Sequence, residues 1–222
     1  MNFKILLIAL SFFSFKKCNS GNVKILEETN GFIAVEAEDF HSQELDDIRK
    51  WYQVDENNTP DIQPDIDGNH AASASGKAYL EILPDTRTNH DEKLVRGENF
   101  SNKPGKLGIL NYKVKFNTPG KYYVWVRCYA TGTEDNGIHV GLNGEWPESG
   151  RRLQWCKSQN RWAWDSKQRT KEEHCGIPKQ IYLEIPNAGV HTISFSMRED
   201  GFEFDKWIMT KEYDISEKIQ SP

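Results

Sequence analysis

Residues 110–129 read Leu-Asn-Tyr-Lys-Val-Lys-Phe-Asn-Thr-Pro-Gly-Lys-Tyr-Tyr-Val-Trp-Val-Arg-Cys-Tyr. From Leu110 to Phe116 every second residue is apolar, which is the pattern of a half-buried β-strand. Pro119-Gly120 is typical of a turn. Beyond that turn, Lys121–Tyr129 alternates with the same period, so one face of this second run would also be buried. The stretch therefore predicts two adjacent β-strands.

Strand-length runs also stand on either side of this pair, separated by turn residues such as Asn143-Gly144. They are Phe32–Ala37, Ala78–Leu83, Ile138–Leu142, Gln180–Ile185, Val190–Met197 and Phe204–Thr210. Because helical periodicity is scarce, the sequence predicts an all-β fold, an antiparallel β-sandwich. Two connections, roughly 84–108 and 143–178, exceed the ~12–15 residues beyond which loops are usually functional or disordered. We expect the second to be functional.

The bulk composition limits the classes of function. The chain has 222 residues and a net charge of −5, with an isoelectric point of about 5.7. This length suits one well-buried domain. The acidic balance argues against a nucleic-acid-binding protein. A mean hydropathy of −0.72 is polar, but the aromatic residues fall in strand-like runs, which argues against disorder.

The N-terminus predicts export. A short charged start precedes an apolar stretch, Ile5–Phe15, which is too short to span a membrane. Cys18 indicates a bacterial lipoprotein, whereas the lysines before it depart from the small residues expected there, so lipid anchoring and simple secretion both stay open. We predict a leader (1–20), a tether (21–30), a β-sandwich (31–212) and a polar tail (213–222). The location would be the periplasm, the outer-membrane surface or the medium.

Export makes disulfides possible. Cys156 and Cys175 bracket a tryptophan-rich segment, and a bridge between them would close it. Cys128 lies within a predicted strand and is expected to be a buried free thiol. A zinc site is disfavoured, because the chain has no Cys-x-x-Cys pair and His174 is the only histidine near Cys175.

Residues 151–175 contain three of the seven tryptophans together with seven Arg and Lys residues. Aromatic faces stack on rings, and guanidinium groups bind carboxylate or sulfate oxygens in pairs. A polyanionic sugar fits this combination, and so does single-stranded nucleic acid; the net charge favours the sugar. At least one indole is expected to be structural. The candidate ligand-binding residues are Trp155, Trp162, Trp164, Arg151, Arg152, Arg161, Trp146, Arg87 and His90.

Carboxylates at the two ends of the predicted domain form a candidate cation site. Glu36 and Glu38 would share one face of the first strand, and Asp205 would join them if the last strand is its neighbour. A hard cation such as Ca²⁺ would relieve their repulsion; a solvated acidic edge is the alternative. Asp65-x-Asp67-Gly68-Asn69 resembles part of an EF-hand loop, but its glycine is misplaced and the closing glutamate is missing.

Glu36-Ala37-Glu38 near the start and Gly201–Trp207 near the end resemble the carbohydrate-binding modules of families 6 and 35. They also resemble the related C-terminal modules of some xylan-debranching glycoside hydrolases. The resemblance covers about residues 31–212 and implies a galactose-binding-like jelly-roll sandwich with a structural Ca²⁺ on Glu36, Glu38 and Asp205. Asp135–Trp146 is similar to modules of secreted marine polysaccharide degraders. The chain is longer than typical modules, and the surplus lies in the two long loops.

These observations predict an exported, calcium-stabilised module that binds an acidic algal or plant glycan such as alginate and has no catalysis of its own. The alternative is a small secreted polysaccharide lyase or glycoside hydrolase with its site between the long loops. A purely structural module is a third possibility. The chain has no Gly-x-Ser-x-Gly, His-Glu-x-x-His or phosphate-binding glycine motif. Carboxylate pairs that cleave glycosidic bonds assemble in space and leave no such motif.

Overall fold

The computed structural model describes residues 24–216. The leader, Cys18, the start of the tether and the end of the tail lie outside the described residues. The described chain folds into two β-sheets packed face to face, so the predicted β-sandwich is confirmed. No helix within residues 24–216 is long and apolar enough to cross a membrane.

The two sheets contain eight and seven strands. Sheet A consists of β1 (Leu26–Glu27), β3 (Ser42–Glu44), β6 (Ile109–Phe116), β8 (Gly137–Leu142), β9 (Leu153–Gln154), β11 (Lys167–Gln168), β12 (Ile177–Pro178) and β14 (Gly189–Met197). Sheet B consists of β2 (Phe32–Glu36), β4 (Lys50–Asp55), β5 (Ala78–Leu83), β7 (Gly120–Tyr129), β10 (Ala163–Asp165), β13 (Tyr182–Ile185) and β15 (Glu203–Thr210). Single 3-10 turns occur at Ala37–Asp39, Ala71–Ser73, Ser75–Lys77 and Glu148–Gly150.

The strands pair antiparallel except β1, which runs parallel to β6. In sheet A, β14 lies between β6 and β8. In sheet B, β15 lies between β7 on one side and β5 and β2 on the other. The first and last predicted strands are therefore neighbours, as the carboxylate argument required. Part of the segment expected as a tether also joins the sandwich, since Leu26 pairs with Val114.

The core lies between the sheets and is rich in aromatic rings. Tyr112 is fully buried, donates a hydrogen bond from its hydroxyl to the carbonyl oxygen of Ala37 (2.6 Å), and meets Trp207 edge to face. The register of β15 against β7 shifts between Phe204 and Lys206. This β-bulge lets Phe204 and Trp207, three residues apart, both enter the core. Strict alternation would turn one of them outward.

Candidate functional site

The Trp-rich loop is closed as expected. Cys156 and Cys175 form a disulfide, with their Cα atoms 5.5 Å apart. Cys128 is a free, fully buried thiol. The loop is not structureless, because β10 pairs with β7, and β11 pairs with both β9 and β12. These strands have two or three residues each and are too short to show a periodicity in the sequence.

Trp155, expected among the ligand-binding residues, lies in the main core instead. Its side chain is fully buried, packs against Phe202 with ring centroids 5.2 Å apart, and donates a hydrogen bond from Nε1 to the carbonyl oxygen of Val126 (3.2 Å). A buried indole with a satisfied N–H cannot stack on a sugar. Trp155 is therefore the structural indole of this loop.

Trp162 is half-buried over a second, smaller cluster on the outer face of sheet B. Its ring lies 5.3 Å from Tyr79 and 5.5 Å from Tyr129, and its Nε1 donates to the carbonyl oxygen of His70 (3.4 Å). The guanidinium of Arg127 lies 5.4 Å from its centroid. These contacts occupy much of its surface.

Trp164 is half-buried and lines an apolar cavity of about 490 Å³, here called the aromatic groove. Trp125, Lys179 and Tyr213 also line it, with the rings of Trp125 and Tyr213 4.9 Å apart. An apolar groove of this size, lined by flat rings, matches the shape of a sugar-stacking surface.

Trp146 lines a polar cavity of about 590 Å³ on the outer face of sheet A, here called the polar groove. The indole packs flat against backbone, since a Cβ at Gly105 would lie 2.2 Å from its Nε1 and one at Gly141 2.8 Å from its ring. Asn111 and Ser194 lie opposite each other in register on the groove floor and share a 2.7 Å hydrogen bond.

Arg87 and His90 meet at one carboxylate. Arg87 is 3% exposed, ion-pairs with Glu134, and donates a hydrogen bond from Nε to the carbonyl oxygen of Glu92 (3.2 Å). His90 is exposed, with Nδ1 3.4 Å from Glu134. Arg87 is thus a structural residue rather than a ligand contact. Arg161 is exposed and donates to the carbonyl oxygen of Lys157.

Arg151 and Arg152 are adjacent in sequence but lie at different cavities. Both ion-pair with Glu148, at 3.0 and 2.9 Å. Arg151 lies beside the polar groove, with Nη2 3.4 Å from the carbonyl oxygen of Trp146. Arg152 enters a different cavity of about 390 Å³, here called the basic pocket.

The basic pocket is lined by five Arg and Lys side chains and no carboxylate. Its lining consists of Arg96, Phe100, Asn102, Arg152, Arg169, Thr170, Lys171, His174 and Arg198. Arg198 is 3% exposed, ion-pairs with Glu199, and lies over the ring of Phe100, 5.0 Å from its centroid. The Nε atoms of Arg152 and Arg198 are buried without an acceptor. Both guanidinium groups therefore carry an N–H that the protein leaves unsatisfied.

Burial and the neighbouring positive charges lower pKa values in this pocket. The pKa of Arg198 is lowered to about 9, mainly by burial and secondarily by the positive charge of Arg169. Burial likewise lowers the pKa of His174, with Arg169 and Arg198 as secondary causes. His174 is consequently neutral at pH 7, while Arg198 stays charged. An anion would relieve the repulsion among the remaining cations.

The three predicted cation ligands lie near one another beside β2 and β15. Glu36 accepts hydrogen bonds from Ser75 Oγ (3.0 Å) and pairs with Lys206 (2.8 Å), while Asp205 accepts from the Ser75 amide and from Arg127. Oε2 of Glu36 and Oε2 of Glu38 are buried with no donor. Burial raises the pKa of Glu38 to about 7, helped by the charges of Glu36 and Asp205. Two orphaned carboxylate oxygens fit a hard cation.

A second acidic group, here called the outer acidic cluster, lies on the outer face of sheet B. It comprises Asp65, Asp67, His70, Glu81 and Glu203. The pKa of Glu81 is raised to about 10, mainly by burial and secondarily by the charges of Asp67 and Asp65. Burial also raises the pKa of Glu203 well above its ordinary range. Within residues 24–216, groups of carboxylates or imidazoles whose ligand atoms all lie within 4.8 Å of one another occur here and not at Glu36, Glu38 and Asp205.

The chain matches a known protein family over most of the sandwich. Residues 65–216 match the model of the glycosyl hydrolase family 115 C-terminal domain, which is more than half of the chain. The chain belongs to this family. The match agrees with the resemblance to glycoside-hydrolase C-terminal modules read from Glu36–Glu38 and Gly201–Trp207.

The family 115 C-terminal domain described here is 58% identical over 186 residues to an uncharacterised protein, P23, of Formosa agariphila. The alignment covers 84% of this chain and 45% of that protein, so the chain spans less than half the length of its relative. Among solved structures it is similar to a family 35 carbohydrate-binding module from Paenibacillus barcinonensis, with 14% identity and a TM-score of 0.44, over 81% of this chain and 99% of that one. It is also similar to the C-terminal family 6 module of LamC, a marine laminarinase from Zobellia galactanivorans, with 13% identity and a TM-score of 0.41 over the same shares.

Several site residues of this family 115 C-terminal domain escaped the sequence analysis. The basic pocket takes Arg96 and Phe100 from the first long loop and Arg198 from the end of β14. The outer acidic cluster joins Glu81 and Glu203, which face each other across β5 and β15. Glu203 stood within the closing motif, and only the pairing of the strands places it beside Glu81.

Proposed function

We propose that this chain is a non-catalytic polysaccharide-binding module and that its ligand is an acidic glycan of the alginate type. The basic pocket carries the proposal: five cationic side chains converge with no carboxylate in the lining. Membership of a glycosyl hydrolase C-terminal domain family agrees with a partner of this chemical class. Because the chain has a net charge of −5, attraction for an anion requires a local cluster of cations such as this one.

The chemistry of the pocket favours carboxylate or sulfate groups. An arginine binds either group through parallel N–H donors, and such charge-assisted bonds are about twice as strong as neutral ones. The buried Nε atoms of Arg152 and Arg198 have no acceptor, so the protein itself does not fully satisfy these two guanidinium groups. A volume of about 390 Å³ lies within the range of small-ligand sites. One or two acidic sugar units fit this space, and the rest of the chain would run over the surface.

The aromatic side chains available for stacking on a sugar lie outside the basic pocket, and they do not include Trp155. Trp155 is core, so stacking falls to Trp164 in the aromatic groove or Trp146 in the polar groove. In this proposal the basic pocket selects for charge, and one of the grooves holds a neighbouring part of the glycan. Arg151 and Arg161 lie outside the basic pocket lining, and the proposal gives them no part in binding the acidic group.

Binding of alginate oligosaccharides measured by calorimetry tests the proposal. Arg169→Gln is expected to weaken binding by about tenfold or more at low salt, since a hydrogen bond to a charged group contributes about 1.5–3 kcal/mol. Its affinity should also fall less steeply as salt rises to about 0.5 M, where exposed charges are screened. The matched control, Arg161→Gln, removes an exposed guanidinium outside the pocket and should bind as the wild type does.

Two outcomes would redirect the proposal. Equal affinity for neutral oligosaccharides, with no salt effect, would reject the acidic ligand and keep a binding module; loss of that affinity in Trp146→Ala would then assign the polar groove. Release of new reducing ends or unsaturated sugars from alginate would instead establish the alternative, a lyase or hydrolase.

We also propose that Glu36, Glu38 and Asp205 hold a structural Ca²⁺. Two orphaned carboxylate oxygens and the adjacency of β2 and β15 support it. Export of the protein belongs to the same proposal: residues 1–20 read as a leader, and the disulfide suits an oxidising compartment. The periplasm, the outer-membrane surface and the medium all fit, and a lipid at Cys18 would be the membrane anchor.

The calcium proposal predicts a calcium-dependent melting temperature. A ligand present at one hundred times its Kd stabilises the folded state by about 2.7 kcal/mol, which is about 5–10 °C for a domain of this size. Chelation should reverse the gain, and Asp205→Asn should shift the calcium titration to higher concentration. The control, Glu184→Gln, removes an exposed carboxylate of β13. A calcium titration of Asp205→Asn that overlays the wild type would refute the assignment.

A further inference from the structure

The outer acidic cluster combines like charges in an arrangement that a folded protein does not tolerate unaided. Glu203 at the start of β15 lies directly opposite Glu81 on β5. Like charges directly opposite each other destabilise a sheet. The loop between β4 and β5 adds Asp65 and Asp67 above them.

The ligand atoms converge. Those of Asp65, Asp67 and Glu81 all lie within 4.8 Å of one another, and so do those of Asp67, His70 and Glu203. Asp67 is common to both groups. The four carboxylates therefore form one continuous cluster, joined through Asp67.

The two carboxylates contributed by the strands are buried, and each has one oxygen without a donor. Glu81 is 2% exposed and Glu203 is fully buried. Oε1 of Glu81, Oε2 of Glu203 and Oδ1 of Asp65 have no hydrogen-bond partner. An unpartnered buried carboxylate oxygen costs its full desolvation energy.

Two other oxygens of the cluster have hydrogen-bond partners. Oε1 of Glu203 lies 2.7 Å from Nδ1 of His70, whose ring stacks on Tyr129 at 3.8 Å. Oδ2 of Asp67 accepts a hydrogen bond from Thr131 Oγ1 (2.6 Å). These outer partners orient the carboxylates, as the outer shell of a metal site does. Oε1 of Glu81, Oε2 of Glu203 and Oδ1 of Asp65 are left without such partners.

Counter-charge is missing from the cluster itself. Among the ion pairs of residues 24–216, no Lys or Arg pairs with Asp65, Asp67, Glu81 or Glu203. The nearby arginines are engaged elsewhere, Arg49 with Asp200 and Arg127 with Asp205. The negative charge is thus compensated either by protons or by a bound cation.

We propose that Asp65, Asp67, Glu81 and Glu203 bind a hard divalent cation, Ca²⁺ or Mn²⁺, at a site separate from Glu36, Glu38 and Asp205. Carboxylate oxygens are the ligands these ions prefer. His70 acts in the outer shell and fixes the orientation of Glu203. The ion fastens the β4–β5 loop to the outer face of sheet B, beneath Trp162.

The test uses the full-length Asp205→Asn chain. Electron paramagnetic resonance measures the binding of Mn²⁺ alone, and calorimetry measures the binding of Ca²⁺ alone. That background weakens the other proposed site. One equivalent is expected to bind, and adding Glu81→Gln should weaken binding by about tenfold or more. Adding Glu184→Gln instead removes an exposed carboxylate and should change nothing. Unchanged binding after Glu81→Gln, or no binding of either ion at millimolar concentration, would overturn the proposal.

Stability in chelator gives a readout that a merely structural role would not produce. Glu81→Gln removes one of the opposed charges, so in chelator the variant should melt higher than its parent, and with cation present it should melt lower. Compensation by protons alone predicts no response to cation in either protein. If Asp205→Asn does not fold, the number of cations bound per chain gives the same test. We expect two cations in the wild type and one in Glu203→Gln. An equal number in both proteins would refute the site. Because no glycan is used, failure here leaves the polysaccharide proposal standing.

Discussion

Replacing Trp155 with alanine is expected to destabilise the folded protein by about 3–5 kcal/mol, the usual cost of removing a fully buried aromatic side chain. The indole is fully buried against Phe202 and holds the carbonyl oxygen of Val126 on β7. Alanine would leave a cavity and an unsatisfied backbone acceptor. Urea denaturation, with the free energy extrapolated to water, measures the loss.

Trp164→Ala is the matched control, because Trp164 lies in the same Trp-rich segment, residues 151–175, and is half-buried on the aromatic groove. It should lose much less stability. Any effect of this variant should fall on glycan binding, at every salt concentration, since stacking does not depend on screened charge. A Trp155→Ala protein with wild-type stability and impaired glycan binding would contradict the structural assignment and restore the residue to the site.

The contrast between these two tryptophans shows what the sequence of the loop leaves open. Both stand in the same irregular, basic run, and local composition is alike for each. Their positions depend on contacts with β7. The side chain of Trp155 points inward and hydrogen-bonds the backbone of Val126. Trp164 is the register partner of Arg127 and lies on the outer face. Distinguishing the two tryptophans requires knowledge that β10 pairs with β7, and this pairing joins segments more than 30 residues apart.

The long strands were predictable for the opposite reason. The alternation of apolar and polar residues along Ile109–Phe116 and Gly120–Tyr129 is a local signal, because the apolar residues of each run are the ones buried in the core. The strand Lys50–Asp55 went unpredicted: its burial pattern alternates poorly, with Trp51 and Val54 inside. Trp51 faces the main core and Val54 the smaller outer cluster, so this strand is buried on both faces.

The two charged sites follow the same logic. The basic pocket draws Arg96, Arg169 and Arg198 from three separate segments, and only the fold brings them together. For the outer acidic cluster the sequence offered Asp65 and Asp67 as a fragment of a calcium loop. The further ligands that we propose, Glu81 and Glu203, come from two strands paired across the sheet. Only the pairing of β5 with β15 brings them together, so the sequence motif alone could not include them.

Reduction of the Cys156–Cys175 disulfide is expected to lower the free energy of unfolding by about 3 kcal/mol. In the chain-entropy model this follows from opening a loop of about 20 residues. Both cysteines are exposed, so a reductant reaches the bond in the folded protein. Urea denaturation with and without dithiothreitol measures the change, and the Cys156→Ser, Cys175→Ser double variant should match the reduced protein. Cys128→Ser provides a thiol control that leaves the loop closed.

The same bond should govern glycan affinity. Arg169, Lys171 and His174 line the basic pocket and lie within the loop that the disulfide closes. Opening the loop frees these side chains, and the glycan must then order them on binding, at about 0.5–1.5 kcal/mol for each. Affinity for alginate oligosaccharides should therefore fall by about tenfold in the double variant, under conditions where it remains folded. Full affinity in a folded, reduced protein would show that Arg96, Arg152 and Arg198 suffice, and that the loop only covers the pocket.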